Sequence, residues 1–312
     1  MELSRRWKKI RSRIFLDRAG PAPTIFLAGM GRSGTTWAAD LINYDRSCRV
    51  MFEPFNPRRV KEAQAFRYIQ YMRPDARDAE KSASATRILG GRLRNRWVDL
   101  DNGRLLPDRR MIKDVRCNLM LKWLARLQPA MAVVLVIRHP LSVARSWLRL
   151  GWGEPGPESD FQVISQQPQL LADFPVIPAA LDFIDAEDSL QRIVFQWCAF
   201  QLVPLTQFQG RGLTLLFYEH LLMDPRQALT DLFERLGQEP DWAQLAGARS
   251  TPSRTNFLNT DARALAAQLA DWQGTFSHAQ VRRTEKILSM FGLDGLYSGG
   301  RPPEGADWRL HG

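Results

Sequence analysis

Within residues 26–37, FLAGMGRSGTTW, three glycines, an arginine, a serine and two threonines follow directly on an apolar run. Gly29, Gly31 and Gly34 leave no Cβ in the way and are expected to adopt positive φ, so that successive backbone N–H groups converge on one anion. A helix beginning near Gly34 would add its unpaired N–H groups and the positive end of its dipole. Ser33, Thr35 and Thr36 contribute hydroxyl donors, and Arg32 contributes a delocalised cation suited to a doubly charged group. The chemistry is that of a phosphate cradle.

Two other readings stay open at this point. A glycine-rich turn can be no more than a tight strand-to-helix connection. The stretch can also be the phosphate loop of a nucleotide hydrolase, because Gly29 to Gly34 has the G-x-x-x-x-G spacing. That motif then requires Lys followed by Ser or Thr, and here Thr35-Thr36 follows. The apolar run Val133–Ile137 ends in Arg138, not in the Asp expected of a Mg²⁺ site.

The elements that must position this loop are legible as short apolar runs alternating with longer helical patterns, which predicts an α/β fold with a parallel sheet flanked by helices. Strands are expected at Thr24–Ala28, Arg49–Phe52, Arg110–Lys113, Val133–Ile137 and Thr214–Tyr218. Helices are expected at Thr35–Asn43, Asn118–Leu127, Leu141–Leu150, Ser189–Phe208, Arg226–Leu236, Ala262–Trp272 and Ala279–Phe291. The chain has no internal repeat. Residues 1–20 read as a basic N-terminal segment, 21–296 as a single domain and 297–312 as a loose tail. Within the domain, residues 151–188 interrupt the pattern, either as a lid over a substrate or as a disordered insertion.

With 312 residues, 45% of them hydrophobic, the chain can bury a sizeable core. Its longest apolar runs are strand-sized, far short of the ~20 residues that span a bilayer. Met1–Leu16 lacks the apolar stretch of a signal peptide, so the expected location is cytoplasmic. Cys48, Cys117 and Cys198 have neither disulfide-framework nor zinc-site spacing and read as buried thiols. The formal net charge of +10 favours anionic ligands. Arg5, Arg6, Lys8, Lys9, Arg11 and Arg13 interleave with Trp7, Ile10 and Ile14, a pattern that fits either peripheral contact with an anionic membrane or a solvated terminal segment. The arginines at 87, 92, 94, 96, 104, 109 and 110 fit either an acidic ligand or a solvated helix face.

The departures from the hydrolase pattern are those of the sulfotransferase family. Gly31-Arg32-Ser33-Gly34-Thr35-Thr36-Trp37 resembles the loop by which sulfotransferases of the carbohydrate-type and bacterial branch bind the 5′-phosphosulfate of PAPS (3′-phosphoadenosine 5′-phosphosulfate). VVLVIRHPLSVARSW is similar to the family's strand-turn-helix for the 3′-phosphate, which implies that role for Arg138 and Ser146. The spacing is physically sound, since Pro140 fits a first helical turn and Ser146 lies nearly two turns along. RRMIKDVRCNLMLKWL and LLFYEHLLMDPRQALTDLFERLG resemble further family segments, so the likeness runs from residue 24 to about 240. It implies a P-loop-NTPase-like fold, PAPS as sulfuryl donor and no metal.

Sulfuryl transfer requires removal of the acceptor's proton and neutralisation of charge on the leaving phosphate. Arg32 and Lys113 are the electrophilic candidates. The His that cytosolic members place two positions after the third-strand lysine is absent, because Asp114 and Val115 follow Lys113. Carbohydrate-type members place a Glu just after the second strand, and VMFEPFNP puts Glu53 there, beside Phe52, Pro54 and Phe55, where desolvation would raise its basicity. A structural carboxylate paired with an arginine is the alternative for Glu53, and Asp114 and His139 are rival bases. The acceptor implied is a hydroxyl on a carbohydrate or glycolipid, acidic glycans included. The competing functions are a small-molecule kinase using ATP and Mg²⁺, and a nucleic-acid binder; the chain lacks the aromatic-interleaved signature of an RNA reader, so no nucleic-acid partner is expected.

Overall fold

The computed structural model describes residues 23–100, 102, 106–156, 159–209, 211–247, 269–300 and 302. Five strands, β1 (Ile25–Gly29), β2 (Cys48–Phe52), β3 (Arg109–Asp114), β4 (Ala132–Ile137) and β5 (Thr214–Phe217), form one parallel sheet in the order β2-β3-β1-β4-β5. Each expected strand is present, displaced by at most a residue or two at its ends. Register pairs Ala28 with Asp114, Gly29 with Val136, and Phe52 with Lys113, so the carboxyl ends of four strands finish side by side. Ligands of open α/β sheets bind at that edge.

Both faces of the sheet are covered, as parallel strands require. In β1, Phe26 and Ala28 join one apolar cluster while Ile25 and Leu27 join the other. On the second face lie α1 (Thr35–Ile42) and, later in the chain, the helix Pro225–Arg235, through Trp37, Leu41, Leu229 and Phe233. The first face is covered by α2 (Ala79–Leu89), α3 (Leu121–Leu127), α4 (Pro140–Leu148) and the helix Ser189–Phe208. Pro140 opens α4 where a missing N–H costs nothing.

The described part of residues 151–188 is largely helical. It forms α5 (Asp160–Ser165), α6 (Pro168–Asp173) and α7 (Val176–Phe183), which bury Ile164, Leu170 and Ile177 against the core. Helix α8 (Ser189–Phe208) follows, its first turn capped by the Asp188 carboxylate, which accepts from the backbone N–H groups of Leu190 and Gln191. After β5 come α9 (Tyr218–Met223), α10 (Pro225–Arg235), α11 (Trp242–Gly247) and α12 (His278–Met290), the last with a Ser277–Gln280 capping box. The chain stays packed past the expected domain end at 296: Tyr297 is buried and its hydroxyl donates to Glu219 at 2.8 Å. The basic segment 1–20, most of the expected helix Ala262–Trp272 and the chain from 303 onward lie outside the described residues. Among the described residues, no helix is long and apolar enough to cross a membrane, and all three cysteines are buried free thiols.

Candidate functional site

A cavity of about 560 Å³ opens at the carboxyl edge of the sheet. Gly31, Arg32, Thr35 and Thr36 line it together with Glu53, Lys113 and Arg116 and with Asp160 and Gln196, and Trp152 lies next to the glycine-rich loop, its ring 3.9 Å from where a Cβ on Gly31 would sit. The glycine-rich stretch is the β1–α1 turn, with positive φ at Gly34 (90°) and at Arg32 (73°), but not at Gly31. Gly34 is sterically obligatory: an added Cβ would lie 2.4 Å from Cδ2 of Tyr218. Gly31 has ordinary space around it, and its carbonyl accepts from Trp147 Nε1 at 2.8 Å, so α4 braces the loop.

The two motifs expected to bind the ends of one nucleotide meet. Arg32 Nε donates to Ser146 Oγ at 2.9 Å, and Arg138 Nη1 donates to the Arg32 carbonyl at 3.4 Å. Arg138 also stacks over the Tyr218 ring at 4.3 Å and donates through Nη2 to Asp271 at 2.9 Å. That carboxylate further accepts from Ser142 Oγ at 2.6 Å. Arg138 is thus pre-oriented by an aromatic face and by the carboxylate of Asp271.

Ser33 is fully buried beneath the loop, and its hydroxyl has no hydrogen-bond partner within the described protein. Trp37, expected to face the nucleotide, is buried in the core on the second face of the sheet, packed edge-on to Tyr218 with ring centroids 5.3 Å apart. Helical periodicity explains the difference: Thr35 and Thr36 reach the cavity at the first turn, and the next position rotates inward.

Glu53 follows β2 with φ 44°, a left-handed conformation unfavourable for a residue with a Cβ and held by its N–H donating to the Lys113 carbonyl at 2.7 Å. Its carboxylate is not bare among aromatic rings. Arg116 Nη1 donates to Oε2 at 2.6 Å, and Arg116 Nη2 donates to the Tyr68 hydroxyl at 2.7 Å. Lys113 is buried in the cavity lining with Nζ 4.4 Å from the Phe52 ring centre; burial, against the attraction of Glu53 and Asp114, lowers its pKa.

The rival bases face elsewhere. Asp114 is fully buried, its two oxygens accepting backbone N–H bonds from Phe55 and Arg116 at 2.9 Å each, and burial raises its pKa. It shapes the elbow that carries Glu53 and Arg116. His139 stacks on Trp272 at 4.6 Å, and burial followed by the charge of Arg138 lowers its pKa to about 3. Of the arginines from 87 to 110 that are described, none lines the cavity. Arg109 is engaged with Asp45 and Ser47, and Arg110 donates to the Leu89 carbonyl at 3.1 Å. Among the described residues, no group of three His, Cys, Asp or Glu side chains is placed to hold a metal ion.

Sequence reasoning missed Arg116, Tyr68, Trp152, Asp160 and Gln196. Arg116 lay within a quoted motif, three positions after Lys113, where it carries the partner of Glu53. Asp160 and Gln196 carried no motif; the signal available was Ser159, a helix N-cap whose hydroxyl accepts from Gln162 N–H.

Residues 23–174 match the model of the Sulfotransferase family. Among solved structures, the sulfotransferase domain from the curacin biosynthetic pathway is 18% identical, with a TM-score of 0.45 over 88% of this chain and 98% of that one. The sulfotransferase domain of the Synechococcus PCC 7002 olefin synthase is 17% identical, with a TM-score of 0.44 over 87% and 96%. Mouse sulfotransferase SULT7A1 complexed with PAP is 15% identical, with a TM-score of 0.45 over 89% and 85%. No curated protein sequence matches the chain.

Proposed function

We propose that the protein is a sulfotransferase that transfers a sulfuryl group from PAPS to a hydroxyl of a carbohydrate or glycolipid acceptor, a reading that the match of residues 23–174 to the Sulfotransferase family model supports. The observation that carries the reading is the 2.9 Å contact between Arg32 and Ser146, which joins the glycine-rich loop to the strand-turn-helix of Arg138. The bond supports the reading that two motifs 114 residues apart in the chain serve one nucleotide, although Arg138 and Ser146 lie outside the lining of the cavity.

PAPS, when bound, supplies the sulfuryl group on a phosphate leaving group. In this reading the backbone of Gly31–Gly34, the hydroxyls of Thr35 and Thr36 and the Arg32 guanidinium hold its 5′ side, while Arg138 and Ser146 hold the 3′-phosphate. The residues fit the group: the turn is open at Gly31, Gly34 admits no Cβ, and cations flank both ends. Lys113 holds positive charge in the lining of a partly dry cavity, where it acts on developing charge more strongly than in water. Glu53 takes the acceptor proton. Arg116 engages Oε2, so Oε1 is assigned to the acceptor, and Arg116 fixes the carboxylate's position as a supporting group fixes a base.

The test is calorimetry and thermal shift with adenosine 3′,5′-bisphosphate against ATP, each with and without Mg²⁺. Metal-independent binding of the bisphosphate, with ATP weaker, supports the proposal. Tight ATP binding that depends on Mg²⁺ would replace it with the kinase reading.

A further inference from the structure

Described residues within 151–161 line part of the cavity, and Arg192 ties the segment 151–188 at both ends. Arg192 on α8 is buried, donating through Nη2 to the Gly153 carbonyl and to Ser189 Oγ at 2.8 Å each, and through Nη1 to the Ala186 carbonyl. This wall is a fixed surface. Asp160, the first residue of α5, lines the cavity, and its Oδ2 accepts from Gln196 Nε2 at 3.0 Å. Among the described residues it has no ion-pair partner. Glu53, by contrast, has a guanidinium on it.

Asp160 is partly exposed to the cavity, and the lone-pair capacity of its carboxylate is open to whatever enters there. One amide N–H satisfies a small part of the lone-pair capacity of two carboxylate oxygens. Burial raises the Asp160 pKa, with Gln196 and the more distant charges of Arg116 and Arg58 offsetting that in part. A ligand in the cavity that Asp160 lines can supply the remaining donors. Gln196, itself buried and lining the cavity, sets an amide beside the carboxylate, so that the pair offers acceptors for two adjacent hydroxyls. At the mouth stands Trp152, 46% exposed and edge-on to Trp147. A half-exposed indole on a cavity rim offers an apolar surface for a ring whose hydroxyls point elsewhere.

We propose that Asp160, Gln196 and Trp152 form an acceptor subsite for a polyhydroxylated ring, a sugar with vicinal hydroxyls; the proposal rests on the sulfotransferase reading above and specifies its acceptor. Asp160 and Gln196 anchor the hydroxyls that are not sulfated, which leaves the reacting one to Glu53. Asp160 is a positioning residue for the acceptor, distinct from the base.

The experiment is saturation-transfer NMR on the full-length protein with adenosine 3′,5′-bisphosphate present, using methyl β-D-glucopyranoside, cyclohexanol and phenol as probes. The glycoside should bind and cyclohexanol should not. Asp160→Asn and Trp152→Ala should each raise the apparent Kd of the glycoside about tenfold or more, as loss of a contact to a charged or stacking group predicts. The bisphosphate Kd from calorimetry should stay within about twofold, and the unfolding temperature of Asp160→Asn should show that the fold is kept. Glycoside binding that is absent in the wild type, or unchanged in both Asp160→Asn and Asp160→Ala, would overturn the subsite, as would phenol displacing the glycoside and binding more tightly. If the bisphosphate does not bind while Asp160-dependent glycoside binding persists, the donor assignment fails and the subsite stands.

Discussion

Replacing Gly34 with alanine asks two things of the chain that Gly31→Ala does not. The backbone at Gly34 has φ 90°, and an alanine Cβ would sit 2.4 Å from Cδ2 and 2.9 Å from Cε2 of Tyr218. The conformational term for a Cβ-bearing residue in the left-handed region is about 1–2 kcal/mol. Pushing a packed ring aside adds about 1–3 kcal/mol. The reduced entropy of the unfolded chain returns roughly 0.4–1 kcal/mol. The net expectation is a loss of roughly 2–4 kcal/mol for Gly34→Ala, or a Tm lowered by about 2–4 °C for each kcal/mol. At Gly31 the nearest atom to an added Cβ is Trp147 Cζ2 at 3.7 Å and φ is not positive, so Gly31→Ala should be neutral or slightly stabilising. Urea unfolding of both variants supplies the comparison. The double variant Gly34→Ala/Tyr218→Ala separates the two costs, because deleting the ring should recover the steric part as a coupling energy of about 1–3 kcal/mol and leave the φ cost. Equal losses at Gly31 and Gly34, or no coupling to Tyr218, would show that the loop geometry argued here is wrong.

Four further perturbations probe the site. Arg138→Ala should weaken adenosine 3′,5′-bisphosphate binding about 10–100-fold, the scale of a charge-assisted contact, and hardly change an analogue lacking the 3′-phosphate; calorimetry on both ligands decides, and equal losses remove the assignment. Glu53→Gln should keep nucleotide affinity while turnover falls by roughly 10²–10⁴-fold in a coupled assay, and near-wild-type rates would end its role as base. Ser33→Ala removes a buried hydroxyl without a partner, so it should stabilise the unliganded protein by about 1 kcal/mol, read as a raised Tm; destabilisation would mean that the hydroxyl is bonded. His139 has a folded pKa of about 3 against 6.5 when unperturbed, so between those values the unfolded chain binds a proton that the folded chain refuses. Stability should therefore fall as pH drops through that window by up to ~1.4 kcal/mol per unit, and His139→Gln should lose that slope in urea titrations at pH 4 to 7.

The strands were legible because parallel strands buried on both faces read as short continuous apolar runs, and AVVLVI or TIFLA leaves little else to be. The helices of residues 151–188 were not. At six, six and eight residues they are too short for a 3.6-residue period to emerge, and two prolines, at 168 and 178, sit inside the helices themselves. The glycine-rich loop was legible as chemistry but not in detail. Positive φ falls on Arg32 rather than Gly31, and the side chains that support the turn, Trp147 on the Gly31 carbonyl and Tyr218 beside Gly34, come from more than 100 residues away.

Glu53 and Asp160 show where a motif stops informing. Glu53 could be named from its place after β2, yet its environment was misread, because Arg116 reaches it only when β3 registers Lys113 against Phe52 and turns the following residues toward the cavity. Asp160 has no place in any motif, and it enters the cavity because Arg192 pins the segment's ends and α5 packs on α8. A donor loop must present the same anion to the same backbone, so local sequence records it. An acceptor wall is assembled by tertiary packing from elements that are individually unremarkable, so its chemistry becomes visible when the partners of each charge lining the cavity are counted. Counting them places a cation on Glu53 and a lone amide on Asp160, and on that asymmetry rests the proposed division of proton removal and acceptor recognition between two carboxylates in one cavity.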